Sequence, residues 1–226
     1  MTMRQWLGID QSHLVDIDGK HRLQAEVIDA FKQMQEAAAA NDIDLQLVSS
    51  FRSFDQQCSI WRRKWLGELP LYALDNRLLN SATLSDIERL HAILLWSALP
   101  GGSRHHWGTD IDVYDKTRVE ASGIDFQLIS SEYEALGPCA ALSDWLVQNA
   151  ASFGFTFPYS QYSGGIGAEP WHLSYTPVAQ TIEQQFEPET LKNTLLNADI
   201  PAADLIAQHF DELYIRYVCN QGIELQ

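Results

Sequence analysis

The chain has 226 residues, of which 46% are hydrophobic and 20% are charged. This composition is typical of a folded globular protein and excludes a disordered one. Fifteen basic against thirty acidic residues give a net charge of −15. That charge argues against binding to nucleic acid or to an anionic membrane, because both need clustered Lys and Arg side chains.

The sequence carries no signal for a membrane or for export. There is no apolar run of about 20 residues, and acidic residues stand where a signal peptide has its apolar stretch. The three cysteines are an odd number and lie far apart, which is typical of free thiols in a reducing compartment. We therefore expect a cytoplasmic protein. Export by a route that needs no signal peptide stays an open alternative. Nothing in the sequence indicates an oligomeric state.

The length predicts one domain with an appendage. We place an N-terminal extension at residues 1–20, the main domain at 21–177 and a helical C-terminal appendage at 178–226. Within the domain, apolar residues at helical spacing predict a helix over 21–40, and alternation predicts a strand over 43–50.

Two capping boxes, which begin at Ser53 and Ser85, predict that helices start directly after them. The first of these helices is expected to end near residue 66. The later predicted elements are a strand over 109–114, a helix over 139–152, strands near 154–158 and 170–175, and helices after Pro177. Strands and helices mix without a regular βαβ rhythm, so the predicted fold class is α+β.

Two short segments, around His105 and His172, combine residues that can carry catalytic chemistry. They supply two imidazoles together with the carboxylates of Asp112 and Glu169. Two imidazoles and one carboxylate suit a catalytic zinc ion, which takes three protein ligands and leaves one position for water. A further carboxylate that is not a ligand can take a proton from that water and return it to the leaving amine.

The alternation of the strand over 109–114 supports this interpretation for Asp112. It places Ile111 and Val113 on one face and the two aspartates on the other, where they can point into a cleft. Pro170 argues against a helix between Glu169 and His172. In a regular strand these two residues would face opposite sides. A bend at Glu169 is therefore required if both are to reach one metal ion.

Three blocks of sequence carry a resemblance to a known family. They are S-x-R-S-x-x-x-Q from Ser50, S-x-H-x-x-G-x-x-x-D from Ser103 and E-x-W-H-x-x-Y from Glu169. In this order they resemble the zinc D-Ala-D-Ala carboxypeptidases of the VanY type, whose fold is shared with the hedgehog signalling domain. The resemblance implies a small antiparallel sheet with flanking helices, and the C-terminal helices lie outside it.

The resemblance also implies roles for individual residues. His105, Asp112 and His172 match the zinc ligands, and Glu169 matches the catalytic acid/base. Arg52 matches an arginine that polarises the scissile carbonyl or holds the substrate carboxylate, a role that suits the planar, permanently charged guanidinium group.

Other positions are expected to shape the substrate cleft. Ser53, Gln57 and Ser103 match residues that contact the substrate or its surroundings, and Trp171 is interpreted as a cleft wall. Asp110 departs from the family pattern, which usually has a small residue there. Two carboxylates on one strand face repel, so one is either protonated or placed behind a metal ligand.

The predicted function is a zinc-dependent carboxypeptidase that hydrolyses the C-terminal D-alanine of peptidoglycan-type peptides. Two enzymatic alternatives are an L,D-carboxypeptidase and a peptidoglycan endopeptidase. A non-enzymatic alternative is a zinc-containing peptide-binding module. The expected partner is a peptidoglycan-derived peptide, and the expected cofactor is one Zn²⁺ ion, although the same donor set also suits other first-row metals.

Overall fold

The computed structural model describes residues 1–222 and shows short strands interspersed with helices. The strands are β1 (Val15–Asp16), β2 (Arg22–Leu23), β3 (Leu45–Ser49), β4 (Leu71–Tyr72), β5 (Leu78–Leu79), β6 (Asp110–Asp115), β7 (Phe155–Thr156) and β8 (His172–Tyr175). The α-helices are α1 (Met3–Trp6), α2 (Ala25–Ala39), α3 (Phe54–Trp65), α4 (Asp86–Leu94), α5 (Lys116–Ser122), α6 (Ala140–Asn149), α7 (Thr176–Gln185), α8 (Pro188–Leu196), α9 (Ala203–Gln208) and α10 (Phe210–Leu213).

The central sheet has four antiparallel strands in the order β3-β6-β8-β7. Two separate hairpins, β1-β2 and β4-β5, lie outside it. Strands β6 and β8 pair with Asp112 opposite His172 and Asp110 opposite Ser174. Because paired residues share a face, this register gathers polar side chains from both strands on one side of the sheet. The α+β class with a small antiparallel sheet is confirmed.

Several element boundaries differ from the predicted ones for local reasons. The predicted helix over 21–40 begins only at Ala25, because Arg22 and Leu23 pair with β1 instead. The predicted helix over 139–152 ends as α-helix at Asn149 and continues as a 3₁₀ turn to Phe153. The hairpin β4-β5 and helix α5 have no counterpart among the sequence predictions.

Both predicted capping boxes are present. Ser53 accepts from the backbone of Gln56, whose side chain accepts from the Ser53 N–H, and Ser85 and Glu88 make the same reciprocal pair. These contacts satisfy N–H groups that otherwise lack a partner in the first helical turn. They explain why α3 and α4 begin where the sequence predicts.

Replacing Ser53 with alanine tests whether this residue acts through the helix cap. We expect the free energy of unfolding to fall by about 1 kcal/mol, because one capping acceptor is lost. Ser85→Ala is the matched control, since it removes the same contact from α4. Urea denaturation measures both changes, and KM for a peptide substrate should stay unchanged in both. A rise in KM confined to Ser53→Ala would instead support the predicted substrate contact.

One hydrophobic cluster lies between the sheet and helices α2 and α6. Strand β6 contributes Ile111 and Val113, and β8 contributes Leu173, all fully buried. The predicted apolar face of α2 lies in the same cluster, with Val27, Phe31, Met34 and Ala38 buried. Since this cluster takes up the apolar face of the sheet, the aspartates of β6 face the other side.

A second cluster lies beside the polar face of the sheet and joins distant parts of the chain. It includes Trp6 and Leu7 near the N-terminus, Trp61 of α3 and Leu90 of α4, together with buried residues from α7 to the end of the described helices. The segments predicted as an N-terminal extension and a C-terminal appendage therefore share a core with the middle of the chain. Within residues 1–222, no helix has both the length and the apolar character that a membrane crossing needs.

Candidate metal centre

The polar face of β6 and β8 opens into a cavity of about 260 Å³. A 3₁₀ turn over Arg104–Trp107, the loop after β3 and the turn before β8 contribute to its walls, together with residues of α3, of the hairpin β4-β5 and of several loops. Predicted site residues that line it are Arg52, Ser103, His105, Asp112, Glu169, Trp171 and His172. The three sequence blocks that carry the family resemblance therefore meet in one place.

His105 is oriented by the backbone of the preceding strand segment. Its Nδ1 lies 2.8 Å from the carbonyl oxygen of Ser50, and its Nε2 lies 3.2 Å from Asp112 Oδ2. Since the carbonyl can only accept, Nδ1 carries the proton and Nε2 keeps its lone pair for the cavity. The turn is closed by Gly108, whose φ of 68° and closeness to Leu14 leave no room for a side chain.

His172 lies between the two aspartates of β6. Its Nε2 is 2.9 Å from Asp110 Oδ2, and its Nδ1 is 3.1 Å from Asp112 Oδ1. Burial by itself lowers the pKa of His172, but the hydrogen bond to Asp110 and the adjacent carboxylate of Asp112 outweigh it and raise the pKa to about 10. The two carboxylates therefore favour a positive charge at this imidazole, which a proton or a metal ion can provide.

The donor set fits a zinc ion. Donor atoms of His105, Asp112 and His172 lie within 4.8 Å of one another, and all three residues are buried. Asp112 Oδ1 lies 3.1 Å from His172 Nδ1, but the two atoms lack hydrogen-bond geometry, so this buried oxygen has no hydrogen-bond partner among the described residues. Such an orphaned carboxylate oxygen beside two imidazole nitrogens is costly unless a cation takes it up. Three protein ligands leave a coordination position free, as in catalytic zinc sites.

Asp110 is the outer partner of His172 and is itself held by several groups. Arg104 Nε lies 2.7 Å from its Oδ2, and the hydroxyls of Thr109 and Ser174 donate to its Oδ1. Burial raises the pKa of Asp110, but Arg104 and His172 outweigh it and hold the pKa well below its usual range. Asp110 is thus ionised and sits behind a metal ligand, the second of the two arrangements that the sequence left open.

Arg104 connects this carboxylate to the C-terminal helices. Its guanidinium also pairs with Glu183 of α7 and donates to Ser174. No sequence pattern marked Arg104 as a functional residue. Its position next to His105 was the available signal, but its partners are 6, 70 and 79 residues away.

Glu169 reaches the site through a turn rather than a strand. The N–H of His172 donates to the Glu169 carbonyl at 3.1 Å, and β8 begins only at His172. This turn is the bend that the sequence required, and it places Glu169 Oε2 3.4 Å from His172 Nδ1. Burial, reinforced by Asp112, raises the pKa of Glu169 to about 7 against the opposing charges of His172 and Arg52. A carboxyl with such a pKa can exchange protons at neutral pH.

Arg52 is held in the cavity wall by neighbouring polar groups. Its guanidinium donates to Gln57 Oε1 at 3.0 Å and to Ser49 Oγ at 3.3 Å. Gln57 is fully buried and is fixed in turn by the carbonyl of Ala98. The backbone carbonyl of Arg52 lies 2.6 Å from His106 Nδ1. His106 therefore faces away from the metal donors and positions the Arg52 backbone.

The structure separates the remaining predicted substrate contacts into two groups. Ser103 and Trp171 are buried and line the cavity. Ser53 and Gln57 do not line it, since Ser53 caps α3 and Gln57 supports Arg52 from behind. Their direct contact with substrate stays a prediction.

Tyr159 is a cavity residue that the sequence analysis missed. Its ring centroid lies 4.9 Å from that of His172, and its carbonyl accepts from the Glu169 N–H at 2.9 Å. It lies just before the glycine-rich segment 163–167 and belongs to none of the three sequence blocks, so no local pattern marks it. Its contacts help to fix both the acid/base candidate and a ligand.

Comparison with known proteins identifies the family. Residues 20–178 match the family model VanY, described as D-alanyl-D-alanine carboxypeptidase. The match covers more than half of the chain, so the chain belongs to the VanY family. An uncharacterized protein of Haemophilus influenzae is 36% identical over 122 residues, which are 53% of this chain and 92% of that protein. The putative carboxypeptidase YodJ of Bacillus subtilis is 28% identical over 159 residues, 69% of this chain and 47% of YodJ.

Solved structures show the same fold. The LdcB LD-carboxypeptidase matches with a TM-score of 0.54 and 23% identity, over 77% of this chain and 73% of LdcB. A mutant of the vancomycin resistance D,D-pentapeptidase VanY, in complex with Zn(II), matches with a TM-score of 0.51 and 21% identity, over 78% of this chain and 88% of the other. The family, together with a donor set that fits a zinc ion, identifies a zinc-dependent metallo-carboxypeptidase.

Proposed function

We propose that this enzyme removes a single C-terminal D-alanine from peptidoglycan-type peptides that end in D-Ala-D-Ala. The observation that carries the proposal is the ionisable carboxyl of Glu169, 3.4 Å from His172 Nδ1, beside the donor set of His105, Asp112 and His172. The description of the matching family supports the D,D preference. The likeness to the LdcB LD-carboxypeptidase is a likeness of fold, and it motivates testing L,D-cleavage beside D,D-cleavage.

The residues around the cavity have distinct tasks in this reaction. Zinc bound by His105, Asp112 and His172 would supply Lewis-acid polarisation of a water molecule and of the scissile carbonyl. Glu169 takes a proton from the attacking water and gives it to the amine as the C–N bond breaks. Arg52, with its guanidinium fixed by Gln57 and Ser49, donates to the carbonyl oxygen as negative charge develops there.

Mass spectrometry of one peptide mixture tests the proposal. The mixture contains an acyl-D-Ala-D-Ala tripeptide, a muropeptide tetrapeptide and a muropeptide pentapeptide, incubated with zinc-loaded protein and with a chelator-treated control. We expect the peptides ending in D-Ala-D-Ala to lose one alanine, and the loss to stop on chelation. Loss of alanine from the tetrapeptide alone would indicate L,D-specificity instead of D,D-specificity. Cleavage inside a peptide would indicate an endopeptidase, and three intact peptides would contradict the proposal.

Arg52→Lys tests the role given to the guanidinium. Lysine keeps the charge but cannot form two parallel hydrogen bonds, so we expect kcat to fall about 10- to 100-fold. Zinc content should stay unchanged, because Arg52 is not a donor to the metal. Steady-state kinetics with metal analysis measures both quantities. Unchanged kcat would remove Arg52 from the reaction.

A further inference from the structure

Part of the cavity wall comes from helix α3 and the hairpin β4-β5. Ile60 and Lys64 are four residues apart on α3 and therefore lie on one helical face. Tyr72 of β4 and Asn76 of the hairpin turn also line the cavity. These four residues lie outside the three sequence blocks that carry the family resemblance.

The positive charges of the cavity wall are paired unequally. Arg104 is neutralised by Asp110 and Glu183. By contrast, neither Arg52 nor Lys64 forms an ion pair with any carboxylate in residues 1–222, although the chain as a whole is strongly acidic. Burial lowers the pKa of Lys64 to about 8, with Arg52 acting in the same direction and Glu169 against it. A partly buried cation without a counter-charge is costly, and an anionic group of a ligand removes that cost.

Position along helix α3 distinguishes the two cations. Arg52 precedes the helix and lies beside the metal donors, since its N–H donates to the carbonyl of His105 at 3.1 Å and its guanidinium donates to Gln57 in the helix. Lys64 follows Gln57 by two helical turns, about 10 Å along the helix axis, so it reaches the cavity from further along the helix than Arg52 does. In a peptide, the terminal carboxylate lies one residue beyond the last peptide carbonyl, roughly 3.5 Å in an extended chain. If the scissile carbonyl of the substrate is bound at Arg52, the terminal carboxylate of the substrate is thus directed towards Lys64.

We propose that Lys64 binds the α-carboxylate of the substrate's C-terminal residue in the cavity that Tyr72 and Asn76 also line. This inference rests on the proposed function and deepens it, because a cation at this place selects chain ends over internal bonds. A lysine in the last turn of a helix also interacts favourably with the helix dipole. Arg63 in the same turn makes the same interaction with the helix dipole from the exposed surface, where it pairs with Glu68.

Binding measurements on the zinc-loaded Glu169→Gln protein test this assignment without turnover. Two probes are used, N-acyl-D-Ala-D-Ala and the same peptide with a C-terminal amide, and Kd is measured by calorimetry. We expect the acid to bind about 10- to 100-fold more tightly than the amide. Adding Lys64→Met should weaken binding of the acid by about that factor and leave the amide unchanged, and Lys64→Arg should restore part of the preference. Arg63→Met is the matched control and should change neither Kd.

The outcomes separate this inference from the proposed function. Equal weakening of both peptides by Lys64→Met, no weakening, or no binding of either peptide would overturn the carboxylate site. If the protein with Glu169 intact leaves the acid peptide uncleaved while the preference that depends on Lys64 persists, the proposed function fails and the carboxylate site stands. If the acid peptide is cleaved but the preference for the acid over the amide does not depend on Lys64, the proposed function stands and the carboxylate site fails.

Discussion

Glu169→Gln is expected to lower kcat by about 10²- to 10⁴-fold while the protein keeps its zinc. Glutamine preserves the size of the side chain and its place in the turn before β8, but it cannot take a proton from water or return one to the amine. Because Glu169 is not among the three donors, metal content should match that of the unaltered protein. Steady-state kinetics on an acyl-D-Ala-D-Ala peptide, with metal analysis of the same samples, measures both effects.

Glu120→Gln provides the matched control for this experiment. Glu120 lies on α5 with its side chain 67% exposed and pairs only loosely with Lys116. The same chemical change there should leave kcat and zinc content unaltered. If Glu169→Gln turned over substrate at the rate of the control, the assignment of Glu169 as acid/base would be wrong.

Asp110→Asn is expected to weaken zinc binding about 10- to 100-fold, although Asp110 is not a ligand. The substitution removes the negative charge behind His172 Nε2, which fixes the imidazole orientation and makes Nδ1 a better donor. It also leaves Arg104, only 13% exposed, without its buried partner. We therefore expect the free energy of unfolding to fall by roughly 3 kcal/mol. Competition with a chromophoric chelator measures zinc affinity, and urea denaturation measures stability.

Glu183→Gln distinguishes the two consequences. It removes the outer partner of Arg104 from α7 but leaves the Asp110–His172 hydrogen bond in place. Zinc affinity should stay unchanged, and the loss of stability should be at most about 1 kcal/mol, since Glu183 is about half exposed. Equal zinc affinity in Asp110→Asn and Glu183→Gln would show that Asp110 does not tune the metal ligand.

The position of Asp110 shows how far local sequence can be interpreted. Alternation along β6 correctly predicted that Asp110 and Asp112 share a face. It also raised the problem of two neighbouring like charges. The structure resolves this problem by inserting the imidazole of His172 between the carboxylates and by placing Arg104 against Asp110. Neither neighbour follows from the spacing of the aspartates, because His172 comes from another strand and Arg104 from the 3₁₀ turn before β6.

The sequence by itself determined the elements that depend on near neighbours in the chain. The starts of α3 and α4 follow from capping boxes four residues long, and the two faces of β6 follow from the two-residue repeat of a strand. The three sequence blocks, through their resemblance to a family, supplied the donor set of His105, Asp112 and His172.

Tertiary structure alone decided which groups surround that donor set. The Arg104–Glu183 pair, the placing of Tyr159 beside His172 and the grouping of Lys64 with Tyr72 and Asn76 join segments that no short repeat relates. The physical reason is that these contacts arise when the sheet and the helices bury their apolar faces. The side chains that meet at the cavity are therefore set by packing across the whole chain.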